Sequence, residues 1–192
     1  MSHRLILATE SRYKTQLLSR LQIPFDTDAP RIDETPLANE PPYALSVRLA
    51  QQKAEAIRGR HSDSWIIGAD QTAAAGDQLL EKPGTRSAAK AQLMSLSGQT
   101  VCFMTSMHLI DPTGAGITHT ESVTVKFRAL DCALVDRYIN KEDALDCCGG
   151  FKVEGLGIAL FESIQSQDPT ALEGLPLIQL SQWLSAAGFQ IP

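Results

Sequence analysis

Apolar and polar positions alternate between two periods along this chain, and the switches mark its elements. Leu5 to Ala8 is a short apolar run that predicts a buried strand. Thr9 and Ser11 follow as hydroxyls suited to capping a helix that begins near Arg12, where Tyr13, Leu17, Leu18 and Leu21 recur at helical spacing. Phe25 to Asp28 reads as a second short strand. Residues 29 to 42 carry four prolines and predict an irregular loop, which holds Asp33, Glu34 and Thr35. Leu45, Leu49, Ala50, Ala54 and Ile57 then define an amphipathic helix over Tyr43 to Ile57, with Lys53 on it.

Trp65 to Asp70 predicts a buried strand whose last residue, Asp70, emerges at the sheet edge with Gln71 beside it. Open α/β sheets place their ligand chemistry at such edges. A small hairpin through Ala75, Gly76 and Asp77 leads to Glu81-Lys82-Pro83, and Ser87 is expected to cap a helix ending at Ser97-Gly98. Two long strands, Thr100 to Ile110 and Ile117 to Arg128, flank a Pro- and Gly-bearing turn at 111–116. Asp131 to Tyr138 reads as a short helix, Gly149 to Glu162 as a glycine-punctuated loop and strand, and Pro176 to Ala187 as a closing helix stopped by Gly188. No repeat or low-complexity linker divides the 192 residues, which predicts a single domain over 1–192.

Composition narrows the function classes. A net charge of −5 without a clustered Lys/Arg face argues against a nucleic-acid polymer as partner, because a phosphate backbone needs concentrated positive potential. No apolar run approaches the roughly 20 residues needed to cross a bilayer, and Met1 to Glu10 turns polar too early for a signal peptide; the expectation is a cytoplasmic protein without membrane partners. Cys102, Cys132, Cys147 and Cys148 lack paired zinc spacing and read as reduced thiols.

Several segments hold the polar groups of a phosphate-transfer site. Thr9 to Lys14 lies at a strand-to-helix turn, where hydroxyls, free N–H groups and cations make either an anion cradle or a plain helix cap. Asp33, Glu34 and Asp70 are carboxylates that could share a divalent cation and position a water, and each alone could equally be a loop acid. Lys53 and Lys82 could neutralise phosphate charge, or simply be solvated. Four glycines within 149–157 surround Lys152 and Glu154, permitting close approach of a ligand or only a flexible strand entry. Glu154 could also pair with Lys152. The four histidines show no catalytic or metal spacing.

Six ordered motifs carry a family resemblance: Leu5-Ile6-Leu7-Ala8-Thr9-Glu10-Ser11, Ala29 to Pro36, Arg48 to Ala54, Ile66 to Gln71, Lys82-Pro83 and Gly174-Leu175-Pro176. Together they resemble the Maf family of nucleoside triphosphate pyrophosphatases over nearly the whole chain. Asp70-Gln71, Phe151 to Gly155 and Asp168-Pro169 resemble its YceF-type subgroup, which acts on 7-methyl-GTP. The resemblance implies an α/β fold with a central mixed twisted sheet flanked by helices, two lobes around a cleft, often a homodimer, and a divalent metal, Mg²⁺ or Mn²⁺. It implies Asp70 as the catalytic carboxylate and a metal ligand with Glu34. Thr9, Ser11, Lys14, Lys53 and Lys82 would bind the nucleotide substrate, and Tyr13, Gln71 and Glu154 would select the base. The family's Ser-x-Ser-Pro-x-Arg-Arg segment is here Thr9 to Thr15, so Lys14 supplies a point charge in place of an arginine fork. The implied reaction releases pyrophosphate from 7-methyl-GTP. The alternatives are a pyrophosphatase for other nucleotides, dTTP or UTP among them, and a non-catalytic nucleotide-binding regulator of cell division.

Overall fold

A computed structural model describes residues 4–76 and 78–192; the predicted hairpin turn at Asp77 therefore lies partly outside the described residues. The elements run β1 (Leu5–Ala8), α1 (Arg12–Ser19), β2 (Asp26–Asp28), α2 (Pro42–Arg58), β3 (Trp65–Ala75), β4 (Gln78–Leu80), α3 (Arg86–Ser95), β5 (Thr100–Ile110), β6 (Gly116–Phe127), α4 (Cys132–Lys141), β7 (Phe161–Gln165) and α5 (Leu177–Ala186). Backbone pairing orders the sheet β2-β1-β3-β5-β6-β7, with β4 paired to β3. It is mixed: β1 runs parallel to β2 and β3, whereas β3–β4 and β6–β7 are antiparallel. The chain divides into two compact units, one comprising the residues through Gln71 with Thr105–Glu121 and Asp168–Pro192, the other Thr72–Met104 with Ser122–Gln167.

In the first unit β1 is buried on both faces, which explains why it reads as an unbroken apolar run rather than an alternation. Leu5, Leu7, Ile67 and Ala69 pack with Leu17 and Leu18 of α1 and Leu180 and Leu184 of α5. Ile6, Ala8 and Ile66 pack the opposite way, on Ala54 and Ile57 of α2. Strand period 2 then sends Ile66, Gly68 and Asp70 toward α2, and Ile67, Ala69 and Gln71 toward the other side. Gly68 is the closest approach: a Cβ there would lie 2.1 Å from the Ala50 carbonyl oxygen and 2.7 Å from the Ala54 nitrogen. Only glycine lets α2 lie so near the sheet.

The second unit packs α3 against α4 and gathers Phe103, Phe127, Phe151 and Phe161 edge to face, with centroids 4.8–5.7 Å apart. One expectation fails here and another is sharpened. Thr85, not Ser87, caps α3, its hydroxyl accepting from Ala88 N, because the helix starts two residues earlier than the apolar pattern shows. The Gly149 to Glu162 segment opens as two 3-10 turns, Cys148–Gly150 and Leu156–Leu160, and becomes strand only at Phe161, because Gly149 and Gly150 adopt positive φ that a strand excludes.

Candidate active site

The chain leaves β1 on one side for β2 and returns through α2 to β3 on the other, so the carboxyl ends of β1 and β3 form the point where the strand order reverses. Ligands of open α/β sheets bind at such points. Pairing of β1 with β3 stops at Ala8–Gly68, and Asp70 comes two residues later. Asp70 does not end its strand, as the charge change in the sequence implied. β3 continues to Ala75, because the carboxylate is buried against a partner and need not seek water.

That partner is Lys53, whose Nζ lies 2.6 Å from Asp70 Oδ1 and 2.9 Å from Glu34 Oε1. Lys53 falls on the buried stripe of α2 and is not the solvated lysine its type suggests: its side chain is 9% exposed, and that of Asp70 is 10%. Burial is the largest single influence on each. It raises the Asp70 pKa above the usual carboxylate value, with Lys53 and Lys14 opposing and Glu34 adding to the rise. At Lys53 the Asp70 and Glu34 carboxylates together outweigh burial and hold the ammonium above the usual lysine value.

The expected trio of carboxylates is corrected to a pair. Asp33 turns back to accept the Thr35 N–H at 2.9 Å, leaving Glu34 and Asp70 bridged by Lys53. Among the described residues no three His, Cys, Asp or Glu side chains gather into a metal-binding group. Two hard carboxylate donors nevertheless suit Mg²⁺ or Mn²⁺, because Mg²⁺ usually takes one or two protein carboxylates beside waters and substrate phosphates.

Lys14 is the second cation felt by Asp70. It rises from the first turn of α1, and its aliphatic chain runs over Gly174, where a Cβ would lie 3.6 Å from Nζ. Thr9 Oγ1 accepts the Ser11 N–H at 3.0 Å and Ser11 caps α1 by accepting the Lys14 N–H, so both hydroxyls make the cap the sequence allowed. Tyr13 carries the Arg12 guanidinium 4.8 Å above its ring centroid, and Arg12 Nη2 donates to its hydroxyl at 2.7 Å. Gln71 points away from Lys53: its Nε2 donates to Thr105 Oγ1 and to the Ala171 and Leu172 carbonyls, tying β3 to the segment before Gly174.

Lys82 and Glu154 belong to the second unit. Lys82 is exposed in a loop held by Gln92 donating to the Glu81 carbonyl and by Gly84 N donating to the Leu145 carbonyl. Glu154 is exposed, and the suggested Lys152–Glu154 pair is replaced by Lys152 donating to the Asp143 carbonyl and lying 3.9 Å from Glu142. Asp168 stands in the sequence only as part of the Asp168-Pro169 motif, with no role of its own. It is 4% exposed, and its carboxylate accepts from Thr170 and from the Ile178 N–H, fastening the start of α5. The signal was an acid immediately before Pro169, a capping pattern.

A buried lysine–carboxylate pair thus sits at the reversal point of a mixed α/β sheet, the place where open sheets of this class take their ligands. The chain belongs to the Maf-like protein family, which it matches over residues 4–187. It is 53% identical over 193 residues to a 7-methyl-GTP pyrophosphatase of Xanthomonas oryzae pv. oryzae, covering 100% of both chains. Proteins of the same name from Aromatoleum aromaticum and Nitrosococcus oceani are 46% and 44% identical, over 98% and 97% of this chain and 98% and 94% of theirs. Among solved structures, a HAM1 protein from Coxiella burnetii superposes with a TM-score of 0.56 at 14% identity, covering 96% of this chain and 100% of that one, a likeness of fold alone. No helix among the described residues is long and apolar enough to cross a membrane.

Proposed function

We propose that this protein is a metal-dependent nucleoside triphosphate pyrophosphatase that hydrolyses 7-methyl-GTP to the monophosphate and pyrophosphate. Full-length similarity to proteins bearing that activity as their name supports the substrate. The observation that carries the chemistry is the burial of Asp70 beside Lys53, with Glu34 and Lys14 at hand.

Asp70 orients a water toward the α-phosphorus and accepts its proton, a role favoured by a pKa raised above that of an exposed carboxylate. Lys53 and Lys14 neutralise charge that develops on the phosphates. Glu34 and Asp70 would hold a divalent cation, which when bound supplies further electrostatic stabilisation of the leaving pyrophosphate. Thr9 and Ser11 order the turn that presents Lys14. Lys82 and Glu154 are assigned by the family motif alone, Lys82 to phosphate and Glu154, with Tyr13 and Gln71, to the base. A ring made cationic by 7-methylation favours an aromatic face and a carboxylate over neutral guanine.

The test is pyrophosphate release from 7-methyl-GTP, GTP, dTTP and UTP, each with Mg²⁺, Mn²⁺ or EDTA. The expected result is the highest kcat/KM for 7-methyl-GTP and no turnover in EDTA. Preference for an unmethylated nucleotide would overturn the substrate, turnover in EDTA would overturn the metal, and binding without release from any nucleotide would leave the regulator reading.

A further inference from the structure

Glu34 reaches Lys53 from a segment that no strand or helix supports. Residues 29–41 are irregular, contain Pro30, Pro36 and Pro41, and take left-handed turns at Arg31 (φ 47°) and Asn39 (φ 58°). Glu34 itself is half exposed, and an ion pair with such a member holds little by itself. Something else keeps the loop in place.

Arg48 of α2 supplies the hold. Its Nε and Nη2 donate to the two carboxylate oxygens of Glu40, each at 2.7 Å; Nη2 also donates to the Thr35 carbonyl at 3.1 Å, and Nη1 to Gln52 Oε1 at 3.0 Å. Glu40 Oε2 accepts the Leu37 N–H at 3.0 Å as well. One guanidinium thus fastens the loop at 35 and 40, and through Glu40 at 37. The pairing with Arg48 holds the Glu40 carboxyl down at about 2. Thr35 is the residue bonded to Glu34, and Arg48 sits five positions before Lys53 on the same rigid helix, about 7.5 Å along its axis. The helix that presents the ammonium therefore also grips the chain that brings the carboxylate to it.

We propose that Arg48 is a positioning residue of the active site: through Glu40 and the Thr35 carbonyl it fixes Glu34 at Lys53. This rests on reading Asp70, Lys53 and Glu34 as the catalytic centre. Lysine cannot substitute, because a point charge does not span Glu40 and the Thr35 carbonyl together.

The experiment combines kinetics with hydrogen exchange on the full chain, using Arg48→Met, Arg48→Lys, Glu34→Gln and the Arg48→Met/Glu34→Gln pair. Arg48→Met is expected to lower kcat with 7-methyl-GTP by roughly tenfold to a hundredfold, with a smaller change in KM. Arg48→Lys should recover little of that. In the Glu34→Gln background the same change should cost less than about twofold, because its route to the chemistry is already cut. Amide exchange should quicken within residues 33–41 and stay unchanged on α2. Additive losses in the double variant, or unaltered exchange at 33–41, would overturn the proposal in favour of a purely stabilising role. If Arg48→Met does not fold, Glu40→Gln gives the same two readouts. A wild-type rate for Glu34→Gln would instead overturn the assignment of the site, while the exchange data would still judge the clamp.

Discussion

Gly68→Ala is the substitution that most directly tests whether α2 is seated on the sheet as described. The added Cβ would lie 2.1 Å from the Ala50 carbonyl oxygen, 2.7 Å from the Ala54 nitrogen and 3.0 Å from the Ala54 Cβ. Against an ordinary contact of about 3.5 Å, the shortfall at the oxygen is about 1.4 Å. The two nearest atoms are backbone, so no rotamer change relieves them, and α2 must retreat by about 1 Å. Retreat loosens the packing of Ala54 and Ile57 on Ile6, Ala8 and Ile66, and it carries Lys53 away from Asp70. Overpacking of this kind costs about 2 kcal/mol, and a misplacement of about 1 Å at reacting groups can cost up to about a hundredfold in rate.

Thermal unfolding should show Tm lower by roughly 4–8 °C for a chain of this size, and pyrophosphate release should show the fall in kcat. Gly59→Ala is the control, since Gly59 has helical φ of −62° and nothing within 4 Å of an added Cβ. It should be neutral or gain about 0.4–1 kcal/mol by restricting the unfolded chain. A Gly68→Ala protein with wild-type Tm and wild-type kcat would refute the seating of α2 and the dependence of the Lys53–Asp70 distance on it.

Asp70→Asn should lose on the order of a hundredfold or more in kcat while remaining folded, because the amide keeps the shape but accepts no proton; near-normal release would remove Asp70 from the mechanism. Lys14→Arg should lower KM, since a guanidinium can grip a phosphate with two parallel bonds, and an unchanged KM would show that this turn does not hold the phosphates. Arg12→Ala should raise the ratio of kcat/KM for 7-methyl-GTP over GTP by up to roughly tenfold, because Arg12 already occupies a face of Tyr13 and competes with a cationic base for it. An unaltered ratio would exclude Tyr13 from base selection. In acid, Asp28 and Glu40 are both held at about 2, Asp28 by Arg60 and then His61, Glu40 by Arg48. Their depressed folded values mean stability that is present above the ordinary values of 3.8 and 4.5 and lost as pH falls through about 2. The urea midpoint should drop over that window, and Arg60→Gln should make the drop shallower.

Element type was readable wherever one periodicity held over several residues, as in β1, α2, β5 and β6. The errors share a cause. An isolated acid ordinarily marks the exit to water, so the pattern ends the strand at Asp70, and only its burial against Lys53 removes that need. Lys53 was in fact visible in principle: Leu45, Leu49, Ala50, Ala54 and Ile57 leave it on the buried stripe of α2, which marks a paired ion and not a solvated one. The Arg48–Glu40 clamp was not visible, because its partners are eight residues apart across a proline-bounded turn whose geometry no local pattern specifies. Gln71 shows the reverse difficulty. Its neighbour Asp70 does not reveal that strand parity sends the Gln71 side chain to the opposite face, where its amide nitrogen donates to Thr105 and the 171–172 carbonyls.

The charge count at the site constrains how the proposed reaction proceeds. Lys14 and Lys53 against Glu34 and Asp70 sum formally to zero, and the Lys53–Asp70 part of that balance is buried, where removing either member would leave an uncompensated ion. A nucleoside triphosphate therefore adds negative charge to a cluster with no spare positive charge of its own. Coulomb repulsion between phosphate and carboxylate is least screened where Asp70 lies. Two properties of this chain ease that arrival. Burial and Glu34 push Asp70 above the usual carboxylate value, so the negative charge it holds beside the phosphates is readily relieved when it accepts the proton of the attacking water. Lys53 spans two carboxylates, so it can turn toward a phosphate from the exposed Glu34 side without abandoning Asp70. In the proposed reaction Glu34 is the more exposed of the two carboxylates that would hold a divalent cation, so its attachment to a well-held loop matters more than its modest contribution to stability.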